Sequence, residues 1–228
     1  MPPPTSDVVR FVYDVVSPYS YIAFHLLRRL RSQWGFTLEL EPVFLHFILT
    51  NPAVQTPPPG LNAQKRRAMN QDISRIKQMQ NIPMSFPKNF PQSTLKAQRM
   101  LRGLKHHATP TQLETVTANM FNGYFQHGLD MTDQAVFLDA ILPAVGGDKA
   151  EAERLLAFMD DAGVKADLVK AGEDAVKDGA YGTPTLFVTR GRDGQKALIF
   201  GSDRMDHLAW FLNKEPPVPA YKAQASKM

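Results

Sequence analysis

The 228-residue chain contains no cysteine. That excludes a disulfide scaffold, a thiolate-bound zinc or iron–sulfur centre, and a cysteine nucleophile. It leaves the compartment open, because a reduced protein can also lack cysteine. No run of 18 apolar residues occurs, so no membrane span is expected. The opening MPPPTSD has neither the basic nor the apolar region of a secretory signal, and none is expected. His25, His46, His127 and His207 are isolated, and the neighbours His106 and His107 point to different sides of a helix. With no metal-ligand spacing, no metal is expected. Asp72, Asp130, Asp133 and Asp139 form no recognisable carboxylate dyad. The basic run Lys65-Arg66-Arg67 lacks interleaved aromatics and reads as a solvated helix face, so no nucleic-acid partner is expected.

What is present is an ordinary globular composition, 43% apolar and 21% charged. The length allows one elaborated domain or two small ones. The 26 basic and 22 acidic side chains leave a net charge of +4, a mild excess suited to an anionic small molecule. Prolines cluster at Pro2 to Pro4, Pro57 to Pro59, and Pro216, Pro217 and Pro219. The first and last clusters read as tails, the middle one as a boundary.

Val8 to Val16 is β-branched and aromatic and is closed by Ser17-Pro18, which reads as a buried strand. Tyr19 to Arg31 carries Ile22, Leu26, Leu27 and Leu30 at helical spacing. Phe36 to Phe44 alternates apolar and polar residues as a second strand does. This β-α-β unit is long enough for a parallel crossover. From Asn62 to Asp178 the periodicity is helical. Ile73, Ile76 and Met79 share one face, as do Leu101, Leu104 and Ala108. Thr109-Pro110 predicts a capped helix through Tyr124, Pro143 ends the helix of Phe137 and Ile141, and Asp148 caps the next. Thr185 to Thr189 and Lys196 to Phe200 flank Gly191-Arg192-Asp193-Gly194, a hairpin pattern. Ser202-Asp203 predicts an N-cap pair for a closing helix. The fold expected is α/β: a thioredoxin-like βαβ…ββα core over residues 7–56 and 180–214, with an all-helical insertion over 57–179 and tails at 1–6 and 215–228.

Three motifs could carry chemistry. Ser17-Pro18-Tyr19-Ser20 lies where a thioredoxin-like fold carries C-x-x-C, with serine at both sulfur positions. A serine hydroxyl exchanges no disulfide, but it can donate to a thiolate supplied by another molecule, at a helix N-terminus that favours negative charge. Simple capping explains the same residues from spacing alone. Gly182-Thr183-Pro184 enters the third strand. A cis bond there would offer the Thr183 backbone to a peptide-like ligand, although cis bonds are only about 5–6% of X-Pro bonds and trans is the default. Gly201-Ser202-Asp203-Arg204 offers helix N–H groups to a carboxylate and Asp203 to an ammonium group, or ordinary caps.

Together YDVVSPYSY, the helical insert, YGTPTLFV and FGSDRM resemble the kappa-class glutathione transferases, a DsbA-like branch of the thioredoxin superfamily. PPPGLNAQKRR and NIPMSFP are similar to the family's loop and insert. The resemblance implies that Ser17 is the catalytic serine holding the glutathione thiolate, with Pro18 and Tyr19 as flanking glutathione contacts. It implies that Thr183, before a cis-Pro184, pairs with the cysteinyl part, that Ser202 and Asp203 bind the γ-glutamyl carboxylate and amine, and that Lys65 meets the glycyl carboxylate. The family often carries an asparagine before its Pro-Pro-Gly loop, where this chain has Gln55-Thr56. The implied partners are glutathione and a hydrophobic electrophile, an activated aryl halide or a hydroperoxide, within a homodimer. Alternatives are a glutathione-dependent 2-hydroxychromene-2-carboxylate isomerase, which shares serine and fold, or a non-catalytic thioredoxin-like adaptor. The ending Ser226-Lys227-Met228 resembles a peroxisomal signal, which makes a peroxisomal location the expectation, with mitochondrion or cytoplasm as alternatives.

Overall fold

The computed structural model describes residues 6–55 and 62–218. The Pro2–Pro4 and Pro57–Pro59 clusters, Thr56, Pro219 and the Ser226-Lys227-Met228 ending lie outside the described residues. Four strands form one mixed sheet in the order β2-β1-β3-β4. Strand β1 (Val8–Tyr13) runs parallel to β2 (Thr37–Pro42) and antiparallel to β3 (Thr185–Thr189), which pairs with β4 (Lys196–Phe200) as the expected hairpin. Central β1 buries Val9, Phe11 and Tyr13 on one face and Val12 on the other, so its sequence reads as an apolar run broken only by Arg10. The strand is shorter than the expected Val8–Val16. Asp14 ends it, because its carboxylate accepts the Val16 N–H at 3.0 Å and turns the chain.

Helix α1 (Pro18–Trp34) starts on the Ser17 cap with Pro18 at its first position and stops at Gly35, whose φ of 73° is left-handed. Helix α2 (Leu45–Thr50) is too short for its periodicity to show in sequence. The insert follows as α3 (Ala63–Gln80), α4 (Leu95–His107), α5 (Pro110–Phe125), α6 (Gln134–Ile141), α7 (Lys149–Ala157) and α8 (Ala162–Lys177). Thr109 and Gln112 form a complete capping box on α5, and Asp148 accepts the Glu151 N–H at the start of α7. Pro143 does not simply end α6. The chain continues through it as a 3₁₀ turn, Leu142–Val145, with Pro143 in second place, where the first turn tolerates proline's missing N–H. On α3 the expected apolar face is only partly used: Ile73 is buried but Met79 is 43% exposed.

Helix α9 (Met205–Leu212) closes the chain. Its N-cap is Arg204, with no side-chain cap, so the expected Ser202-Asp203 capping pair is corrected. The Ser202 hydroxyl is buried and caps nothing, and the Asp203 carboxylate lies 3.1 Å from the Arg204 guanidinium. The main apolar cluster runs from the sheet into the insert, joining Phe11 and Tyr13 of β1, Tyr21 and Phe24 of α1, Met100 of α4, and Phe121 and Phe125 of α5. Tyr13 and Thr117 share a buried hydrogen bond of 2.7 Å across this junction. A smaller cluster of Val12, Val43, Ile48, Ala171 and Ala175 seats α8 on the other face. The element order and sheet are those of a DsbA-like thioredoxin fold.

Candidate active site

The site forms where β1 hands over to α1. Ser17 caps the helix with extended backbone (φ −82°, ψ 115°), and its Oγ accepts the Ser20 N–H at 3.2 Å. The same hydroxyl donates to the Thr183 carbonyl at 3.0 Å, across 166 residues of sequence. Capping and a place in the site are therefore compatible roles of one oxygen. The Thr183–Pro184 bond is cis, against the trans default. Thr185 Oγ1 donates to the Gly182 carbonyl at 2.8 Å and Gly201 N–H to the Pro184 carbonyl at 3.0 Å, which ties the FGSDR loop to the proline turn. Gly201 has a φ of 91°, and a Cβ there would sit 2.6 Å from the Asp203 carboxylate, so the loop needs glycine.

Ser17, Thr183 and Ser202 are all under a tenth exposed. Among the described residues, Thr183 Oγ1 and Ser202 Oγ have no hydrogen-bond partner. Such groups in a native interior call for an explanation, and a polar ligand is one. Tyr19, in the first turn of α1, donates its hydroxyl to Asp72 of α3 at 2.9 Å. Burial first, then the Asp72 carboxylate and the charge of Asp203, hold the Tyr19 phenol above its ordinary range, so it stays protonated.

Of the residues singled out in sequence, Ser17, Pro18, Tyr19, Thr183, Pro184, Ser202 and Asp203 come together here. Lys65 is exposed in the first turn of α3, on the cap made by Asn62, and no described contact joins it to the others. Gln55 stands in the left-handed region with a φ of 45°. Sequence reasoning missed Asp14 and Asp72. Asp14 is fully buried and accepts from Val16 N, Leu45 N, Thr94 Oγ1 and Gln98 Nε2 at 2.7–3.0 Å, while Ser17 N–H bonds its carbonyl at 3.0 Å. Burial pushes the Asp14 carboxyl up, against those four donors. Its signal was a lone acid closing an apolar strand. A hollow of about 420 Å³ lined by Arg10, Asp178, Phe187 and Leu198 contains none of the site residues.

A family model described as a DSBA-like thioredoxin domain matches residues 8–213. The chain is 33% identical to glutathione S-transferase kappa 1 of Rattus norvegicus, covering 95% of this chain and 96% of that protein. It is 32% identical to glutathione S-transferase kappa 1 of Homo sapiens, covering 97% and 99%. The chain belongs to the kappa class of the DsbA-like thioredoxin family. The kappa-class fold is shared more widely. A solved 2-hydroxychromene-2-carboxylate isomerase superposes with a TM-score of 0.74 at 21% identity, covering 90% of this chain and 94% of that one.

Proposed function

We propose that this kappa-class chain is a glutathione transferase in which Ser17 holds the glutathione thiolate for attack on an electrophile. The observation that carries the reading is the Ser17 hydroxyl, buried at the N-terminus of α1 and 3.0 Å from the Thr183 carbonyl. A free thiol has a pKa of about 8.5 and is little ionised at neutral pH. A hydroxyl donor and the N-terminal field of a 17-residue helix both favour the charged form, so both lower that pKa.

In the free chain the Ser17 proton is engaged by Thr183. Binding then exchanges one hydrogen bond for two. The hydroxyl turns to the sulfur, and the released Thr183 carbonyl accepts the cysteinyl N–H of glutathione as a short strand addition. The unpaired Ser202 hydroxyl suits the γ-glutamyl carboxylate, Asp203 its ammonium group, and Lys65 the glycyl carboxylate. The thiol loses its proton to solvent, the sulfur bonds to the electrophilic carbon, and the halide leaves with the bonding pair. With a hydroperoxide the thiolate sulfur attacks the terminal oxygen, the O–O bond breaks with its pair going to the alkoxide, the sulfur is left as a sulfenic acid, and the alkoxide takes a proton from solvent and departs as the alcohol. A homodimer, a hydrophobic second substrate and a peroxisomal address complete the proposal. The fold shared with the isomerase keeps the chromene carboxylate as a second substrate class to test.

The test is the ultraviolet absorbance of bound glutathione thiolate against pH, with turnover of aryl halides, hydroperoxides and chromene carboxylates. Ser17→Ala is expected to raise the pKa of the bound thiol and lower kcat about 100-fold, as loss of an anion donor does, with glutathione affinity changing far less. Equal titration curves and equal kinetics for both proteins defeat the serine assignment. Turnover of the chromene carboxylate alone makes the chain an isomerase. No glutathione binding at all makes it an adaptor.

A further inference from the structure

Helix α3 is barely embedded. Of its 18 residues only Ile73 is buried, and before it only Met69 and Asp72 are half-buried. Two side-chain bonds anchor its far end: Lys77 Nζ donates to the Met84 carbonyl at 2.9 Å, and Arg29 donates to Gln80 Oε1 at 2.6 Å. Ahead of those, among the described residues, one side-chain bond joins α3 to another element, and it is Tyr19 to Asp72 at 2.9 Å. Tyr19 lies two residues from Ser17.

Asp72 and Lys65 are seven residues apart. At 3.6 residues per turn seven steps nearly complete two turns, so both side chains lie on one helix face, about 10.5 Å apart along the axis. Met69 sits between them on that face. A ligand with its thiol at Ser17 and a carboxylate at Lys65 is thus held by two elements, α1 and α3. No described backbone hydrogen bond fixes their spacing; two side-chain bonds do, Arg29 to Gln80 at the far end and Tyr19 to Asp72 at the end beside Ser17.

We propose that Asp72 is a positioning residue for the carboxylate end of the ligand: by accepting the Tyr19 hydroxyl it fixes α3 over the start of α1 and so places the Lys65 ammonium at the glycyl carboxylate. This rests on the glutathione reading above. Asp72 touches neither sulfur nor electrophile. Its side chain acts through Tyr19 on one side and through two turns of helix on the other.

The experiment is steady-state kinetics with glutathione and with its glycine monoethyl ester, which lacks the charge that Lys65 meets. Asp72→Ala is expected to raise KM for glutathione about 10-fold, the scale of one hydrogen bond to a charged group, with a smaller change in kcat and no rise in KM for the ester. Asp72→Asn, which keeps a carbonyl acceptor, restores most of the loss. Tyr19→Phe added to Asp72→Ala brings no further rise in KM, since both break one bond. If Asp72→Ala does not fold, Tyr19→Phe alone reads the same bond and is expected to show the same split between glutathione and ester. Equal losses with glutathione and ester, or a loss confined to kcat, overturn the inference. Unchanged KM in Asp72→Ala, in a protein whose wild type binds glutathione and depends on Ser17, overturns this inference alone. A wild-type chain that binds no glutathione overturns the function and the inference together.

Discussion

A buried hydroxyl without a partner is a cost that folding alone does not explain, and among the described residues the site has three, on Ser20, Thr183 and Ser202. If Ser202 waits for a carboxylate, removing its oxygen separates stability from affinity. Ser202→Ala is expected to leave the unfolding free energy of the free protein, read from its urea midpoint, within about 0.5 kcal/mol, because no hydrogen bond is lost. The same change is expected to weaken glutathione about 10-fold by calorimetry, since a donor to a charged group disappears. A midpoint that falls steeply while affinity holds would make Ser202 structural. Residues of this kind were readable because they sit in short motifs: SPYS at a helix start, GTP at a strand start, GSD after a strand. Asp14 and Asp72 were not. Each acts through tertiary contacts, Asp14 with Thr94 and Gln98 some 80 residues away and Asp72 with Tyr19 across 53, and no local pattern announces such pairs. The cis bond before Pro184 was open in sequence because proline allows both isomers.

Between elements, charge does what apolar packing does inside the core. Arg102 of α4, only 7% exposed at its side chain, bonds both Glu41 of β2 and Asp167 of α8; Lys105 adds to Glu41, and His106 reaches Asp167 at 2.6 Å. This cluster fastens the helical insert to the edge strand. Burial works against ionisation of Asp167, but the bonds from Arg102 and His106 prevail and hold its carboxyl at about 2. A carboxylate with a lowered native pKa gives stability that is full above its ordinary value of 3.8 and is lost as pH falls towards about 2. Asp167→Asn is therefore expected to be less stable at neutral pH and to show a shallower loss of stability between about pH 4 and 2, read from urea midpoints at each pH. Glu41 keeps part of the slope, because Lys105 and Arg102 outweigh its burial and lower its pKa as well. An unchanged slope would detach Asp167 from acid unfolding. Elements with strong periodicity or explicit caps were legible, as Leu113, Val116, Met120 and Tyr124 on the buried face of α5 show. Helix α2 was not, since six residues hold less than two turns and its start is fixed by Asp14, which accepts the Leu45 N–H at 2.8 Å.

The molecule as a whole joins a thioredoxin-like sheet and a helical insert through apolar clusters on both faces of the sheet, with Tyr13 of β1 bonded to Thr117 of α5 across the larger one. The proposed ligand contacts are divided in the same way, Ser17, Thr183 and Ser202 from the sheet part and Lys65 from the insert. A shared core implies that neither part unfolds alone and that a ligand bridging them stabilises both. Two probes separate the parts. Trp34, 7% exposed at the end of α1, reports the sheet side by fluorescence, whereas far-ultraviolet circular dichroism is dominated by the insert, which holds α3 to α8. Trp210 is 81% exposed and contributes a nearly constant background, removable as Trp210→Phe. Both probes are expected to give one coincident urea transition, and glutathione at 100 times its Kd is expected to add about 2.7 kcal/mol to each. Loss of the dichroism signal before that of Trp34 would mean that the insert unfolds on its own. A ligand shift confined to Trp34 would mean that the insert takes no part in binding, and Lys65 would then lose its place at the glycyl carboxylate.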